Sequence, residues 1–157
     1  FPQPGGTGKG FVFCVCPDSA GRLWVSAGDE DLYVRENGAF NRVKPIVHGV
    51  KAIFADKHNR VWVGTKAGLY FRDADSDEEF RSYEGIGRRD IRCLSEDGAG
   101  NLWAGSEEGD LFRISDTAVN TFHPPESKPS QAIWSLLAEP DGTIWAGTFR
   151  GGLLRFL

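Results

Sequence analysis

The sequence predicts an all-β chain assembled from four copies of one unit. Three observations predict it. Four of the five tryptophans stand in matching contexts: Gly21-Arg22-Leu23-Trp24-Val25-Ser26, Asn59-Arg60-Val61-Trp62-Val63-Gly64, Gly100-Asn101-Leu102-Trp103-Ala104-Gly105 and Gly142-Thr143-Ile144-Trp145-Ala146-Gly147. Their spacings are 38, 41 and 42 residues. Each unit also divides into short apolar pieces separated by Asp-, Gly- and Asn-rich turns, with no long helical pattern. Four short strands in a repeat of this period make a β-propeller blade.

The elements of the unit follow in order. A first, inner strand is expected at Val12–Cys16, Val50–Phe54, Ile91–Ser95 and Ile133–Leu137. It carries an aliphatic residue twelve positions before the tryptophan (Val12, Val50, Ile91, Ile133) and another nine before it (Val15, Ile53, Leu94, Leu136). Ten before it the residue is always small (Cys14, Ala52, Cys93, Ser135), as crowding at an inner strand requires. The tryptophan strand comes second. A Gly or acidic turn leads to a third strand opening Leu32-Tyr33, Leu69-Tyr70, Leu111-Phe112 and Leu153-Leu154. A fourth carries Phe40 and Val43, Phe80 and Tyr83, or Val119 and Phe122. The expected blades are about 10–43, 48–83, 89–123 and 131–157, the last without its outer strand. Phe1-Pro2-Gln3-Pro4 matches Phe122-His123-Pro124-Pro125, the exit from a fourth strand, so Phe1 is a candidate for closing onto the last blade. The chain has no methionine and opens on Phe1, which is expected of a piece of a longer chain. Open strand edges pair readily, so further blades or other copies of the chain are expected partners.

Composition narrows the function. The 157 residues carry 18 Lys+Arg against 22 Asp+Glu, a net charge of −4. That balance excludes duplex nucleic acid as a partner, since such binders need a basic face to displace counterions. No apolar run approaches the ~18 residues of a membrane-spanning helix, so no membrane insertion is expected. Three cysteines make no disulfide framework, and they read as small, inert packing residues.

Several motifs resolve into structural readings. The acid six before each tryptophan (Asp18, Asp56, Asp97, Glu139) recurs in every unit, which points to turn formation rather than a ring of metal sites. The Arg that closes strand three (Arg35, Arg72, Arg113, Arg155) recurs likewise and reads as a structural salt bridge or turn contact. Asp73 through Glu78 starts like a calcium loop, but Glu78 stands where the sharp turn needs Gly. Gly5-Gly6-Thr7-Gly8-Lys9-Gly10 lacks the first Gly and the Ser or Thr of a phosphate loop. His48, His58 and His123 lie in different loops without metal spacing, and there is no nucleophile elbow. No metal, cofactor or catalytic residue is expected.

One column behaves differently. Eleven before each tryptophan stand Phe13, Lys51, Arg92 and Trp134, whose chemistry changes from unit to unit. Structural columns repeat, and recognition columns vary. With the loop neighbours His48, Arg89 and Gln131, these residues form a candidate rim of flat faces and cationic donors, suited to a sugar, a uronate or another small polar ligand. The plain alternative is packing between blades with the charged ends snorkelling to solvent.

The repeat resembles the two-component regulator propeller, which runs as an inner strand, an acid-x-x-Gly-Asn-Leu-Trp-x-Gly-Thr stretch and a Gly-Gly-Leu-Tyr/Phe turn. Ile91 through Ser106 and Ile133 through Leu153 carry it most fully. Val61-Trp62-Val63-Gly64-Thr65 with Gly68-Leu69-Tyr70 carries part, and Tyr83-Glu84-Gly85-Ile86 is similar to the linker between blades. Ser26-Ala27 departs from Gly-Thr. The family's usual Asn before the inner strand is replaced by Gly10, His48, Arg89 and Gln131. The resemblance implies seven-bladed, non-catalytic sensor propellers of hybrid histidine kinases, periplasmic or extracellular, often tied to oligosaccharide sensing. The alternatives are a lectin-like or protein-interaction scaffold without signalling output, and a propeller lyase.

Overall fold

A computed structural model describes residues 11–27, 31–43, 49–73, 76, 79–123 and 131–156. Four antiparallel sheets follow one another along the chain. Blade one comprises β1 (Val12–Pro17), β2 (Leu23–Ala27), β3 (Asp31–Glu36) and β4 (Ala39–Arg42). Blade two comprises β5 (Val50–Ala55), β6 (Arg60–Thr65), β7 (Gly68–Asp73) and β8 (Arg81–Tyr83). A 3-10 turn at Glu84–Ile86 leads on to blade three, with β9 (Ile91–Glu96), β10 (Leu102–Ser106), β11 (Leu111–Ile114) and β12 (Val119–Phe122). In blade four, β13 (Ile133–Ala138), β14 (Ile144–Thr148) and β15 (Gly152–Phe156) are the described strands. Each sheet is a meander, with its strands adjacent in chain order. The inner strands β1, β5, β9 and β13 adjoin in succession. This is a β-propeller arc.

The hairpin between the first two strands of each blade is built by its acid. The Asp97 amide donates to the Asn101 carbonyl, and the Gly100 amide donates to the Asp97 carbonyl. The same pair of bonds recurs at Asp18, Asp56 and Glu139. The loop needs one left-handed residue. Gly21, Gly100 and Gly142 supply it with φ of 77, 88 and 90°, and Asn59 does so at 59°. A tight hairpin of this kind, closed by a left-handed residue, matches the strand twist.

The cores lie between blades rather than within them. Leu32 of blade one packs with Val50, Ile53 and Val63 of blade two. Leu69 of blade two packs with Ile91 and Ala104 of blade three, and Leu111 of blade three with Ile133 and Ala146 of blade four. The tryptophans of blades one to three face the following blade. Trp24, Trp62 and Trp103 are buried in these clusters.

The small column ten before the tryptophan lies against the next blade's inner strand. The Cys93 thiol donates to the Ile133 carbonyl at 3.2 Å, and burial pushes that thiol up to about 12. Burial also raises Cys14 and Cys16. The three cysteines are therefore poor nucleophiles at neutral pH. The candidate phosphate-like loop, the Phe1 closure, His48 and most of the acidic stretch after Asp73 lie outside the described residues.

Candidate functional site

The residues eleven before each tryptophan owe their placement to a β-bulge repeated in every blade. In blade one Val12 pairs with Ala27 and Cys14 with Ser26, leaving Phe13 between them. Val50 and Ala52 pair with Thr65 and Gly64 around Lys51. Ile91 and Cys93 pair with Ser106 and Gly105 around Arg92. Ile133 and Ser135 pair with Thr148 and Gly147 around Trp134. Each of the four is the extra residue of its bulge. A bulge re-aims one side chain and interrupts the alternation of faces. Each bulge thus sets its extra side chain apart from the faces its two neighbours take.

The four line one cavity of about 330 Å³. Phe13 and Trp134 stand half-exposed at its edges. Trp134 stacks on Phe149 with ring centroids 4.8 Å apart and an interplanar angle of 21°. Arg150 lies over the Phe149 ring at 4.9 Å, and Arg92 lies 5.9 Å from the Trp134 centroid.

The two cations are matched by acids that sequence reasoning missed. Lys51 Nζ donates to both oxygens of Asp90 at 2.9 and 2.8 Å. Its side chain is only 8% exposed, against 21% for Asp90. Arg92 Nε stands 2.5 Å from Glu107 Oε2 and 3.8 Å from Asp90 Oδ1. The two cations that line the cavity are therefore charge-balanced by acids beside it, and an aromatic wall completes the lining. Asp90 comes from the loop ahead of β9, and Glu107 from the turn between β10 and β11. Nothing in the spacing of either flags it as a counterion.

Of the predicted loop neighbours, Arg89 and Gln131 do not line this cavity, and His48 lies outside the described residues. Arg89 Nε lies 3.7 Å from Asp110, a carboxylate that also meets His123 Nδ1 at 2.8 Å. Gln131 packs its backbone where a side chain on Gly109 would sit. The recurring acids serve the fold. Trp24, Trp62 and Trp103 each donate their indole N–H to Asp18, Asp56 and Asp97 at 2.8, 2.8 and 2.9 Å. The same carboxylates accept the backbone amides two and four residues on. Arg113 caps this clasp, 3.8 Å from Asp97 and over the Trp103 ring. Arg72 instead covers Trp24 of the preceding blade at 5.0 Å. Among the described residues, no group of three or more His, Cys, Asp or Glu could hold a metal ion. No helix there is long and apolar enough to cross a membrane.

Residues 6–29, 85–108 and 127–150 each match the family model described as two component regulator propeller. Three of the four repeats thus match the two-component regulator propeller family. No curated protein sequence matches the chain. Among solved structures, the extracellular domain of the hybrid two-component system BT3049 from B. thetaiotaomicron aligns with a TM-score of 0.71 at 20% identity. The alignment covers 93% of this chain and 23% of that one. The corresponding domain of BT4673 from the same organism aligns with a TM-score of 0.76 at 21% identity, over 92% of this chain and 21% of that one. The chain thus spans under a quarter of those two structures. The same fold occurs in a catalytically inactive virginiamycin B lyase from Staphylococcus aureus, with a TM-score of 0.70 at 12% identity over 94% of this chain and 55% of that one.

Proposed function

We propose that this arc is part of the extracytoplasmic sensor of a two-component signalling protein, and that its mouth holds a neutral oligosaccharide. It does no chemistry itself. The observation that carries the reading is the bulge column. Four chemically different side chains, each the extra residue of a bulge, surround one cavity of about 330 Å³. That volume suits a small ligand. An aromatic face offers apolar area at a small entropic cost, and Trp134 on Phe149 is such a face. Lys51 and Arg92 are already neutralised by Asp90 and Glu107. A uronate would have to compete with those carboxylates for its donors, whereas sugar hydroxyls can both give to the acids and take from the cations. The extracellular placement of the BT3049 and BT4673 domains supports an extracytoplasmic location.

Calorimetric titration with a panel of neutral and uronic-acid oligosaccharides tests this. A neutral member should bind the native chain, and Trp134→Ala should weaken it by at least about tenfold, or ~1.4 kcal/mol. Arg92→Ala should weaken it less. Unchanged affinity in both folded variants, or no neutral sugar bound at all, would remove the reading.

A further inference from the structure

A second column of residues stands beside the bulge column, and the backbone places it there. The residue directly after each second strand donates its amide to the strand's inner neighbour. Lys66 bonds the Gly49 carbonyl at 3.1 Å, Glu107 that of Asp90 at 2.8 Å and Phe149 that of Ala132 at 2.8 Å. These acceptors lie two positions before Lys51, Arg92 and Trp134. Each bond thus fixes the turn residue beside the bulge of its own blade. The corresponding turn of blade one lies outside the described residues.

What stands in this column governs what the bulge residue can offer. In blade four ring meets ring, with Phe149 stacked on Trp134. In blade three acid meets cation, with Glu107 Oε2 2.5 Å from Arg92 Nε. In blade two both are cations. Lys66 lies along Gly49, where an added Cβ would be 2.9 Å from its Cγ, and Lys51 reaches Asp90 of the next blade. The column is open to solvent even where blades stand on both sides: Lys66 is exposed, and the Glu107 side chain is 42% exposed.

An acid held against a cation works by exclusion as well as attraction. It occupies the donor and repels an anionic group that approaches it. Asp90 cannot do this for both cations of the mouth. Lys51 grips both of its oxygens, and Arg92 Nε is 3.8 Å away. Glu107 is therefore what stands between Arg92 and an anionic ligand.

We infer that Glu107 is a specificity-determining residue of the mouth, which turns away carboxylate-bearing sugars by neutralising Arg92. The inference rests on the cavity being a ligand site, and it names the residue that keeps acidic sugars out of it.

Calorimetric titration of the native chain, Glu107→Gln and Glu108→Gln with digalacturonic acid and with the neutral galactose disaccharide tests it. Glu108 is exposed in the same turn, so its variant makes the same change in net charge beside the pair rather than in it. Glu107→Gln should bind digalacturonate at least about tenfold more tightly than the native chain and the neutral disaccharide about threefold more weakly. Glu108→Gln should keep the native ratio of the two affinities. Adding Arg92→Gln to Glu107→Gln should abolish the gain. A purely structural Glu107 would move both affinities in the same direction. That outcome, an unchanged uronate affinity, an equal gain in Glu108→Gln, a gain that survives Arg92→Gln, or no uronate bound by any variant would each overturn the inference. Should Glu107→Gln lose the native circular dichroism spectrum, Glu107→Ser makes the same test. A native chain that binds no neutral sugar, with a Glu107→Gln variant that gains the uronate, would end the neutral-ligand reading and keep this one. A native chain that binds the neutral sugar, with a variant that gains nothing, would do the reverse.

Discussion

Blades three and four have almost the same sequence pattern and different physical circumstances. In blade three, Trp103 is 5% exposed, bonded to Asp97 and covered by blade four. In blade four, Trp145 is only partly buried and faces an open groove, with Arg155 over its ring at 5.6 Å. Blade three has its acid as Asp97, one methylene shorter than Glu139. The Asp reaches its own turn amides and the indole together. In blade four the turn is instead braced by Asp141, whose carboxylate accepts the Thr143 amide at 2.9 Å. An equivalent residue is worth what its neighbour makes of it. A repeat signature therefore marks position in the blade, and burial marks position in the ring.

The contrast can be broken at its strongest point first. Trp103→Ala should destabilise the chain by about 3–5 kcal/mol, as a fully buried large-to-small change does. Trp145→Ala should cost about 1–2 kcal/mol, since less of its area leaves water. Urea unfolding followed by circular dichroism reads both, and equal losses would show that blade four is already packed like blade three.

The clasp comes next. Asp97→Ala strands the Trp103 indole N–H and two backbone amides, and should cost about 2–3 kcal/mol. Glu139→Ala should stay within about 0.5 kcal/mol. Burial disfavours the Asp97 charge, but the bonds from Trp103, Asn101 and the turn amides outweigh it and hold the carboxyl below its ordinary value. Asp18 is lowered by the same balance. For a depressed carboxylate the stabilisation is complete above the unfolded value of about 3.9 and drains away as pH falls through the folded one. The native chain should therefore lose stability below about pH 4, and Asp97→Asn should flatten that part of the curve.

The smallest effect lies in two glycines. Gly105→Ala pushes a methyl onto Ile133 and Cys93, each 2.7 Å from its Cβ, and should cost about 1–3 kcal/mol by overpacking. Gly147→Ala meets only a serine side chain that can rotate away, and should cost under about 1 kcal/mol. Thermal melts of the two variants sharpen the comparison.

Much of this was legible beforehand. The tryptophan period located the blades, and the recurring Asp was read correctly as turn chemistry, although its bond to an indole six residues away was not foreseen. The bulge left a trace as well. Aliphatics at twelve and nine before the tryptophan are three apart, which an unbroken strand of period two cannot place on one face. The residue squeezed out between them is the one whose chemistry varies. The counterions were not legible, because Lys51 and Asp90 meet across a blade boundary, 39 positions apart in the chain. Arg89 and Gln131 were grouped with the rim by sequence adjacency, yet Arg89 faces Asp110 and Gln131 packs on Gly109.

By itself, then, the sequence determined the unit: its strands, its turns, the indole that anchors it and the position whose chemistry varies from blade to blade. These rest on local alternation and on contacts within about a dozen residues, which every copy repeats. Only the tertiary structure decided which copies of a column are sealed and which stand open, and which cation meets which acid. Burial and pairing belong to neighbours rather than to residues, and here the neighbour is always the next blade, about forty positions away.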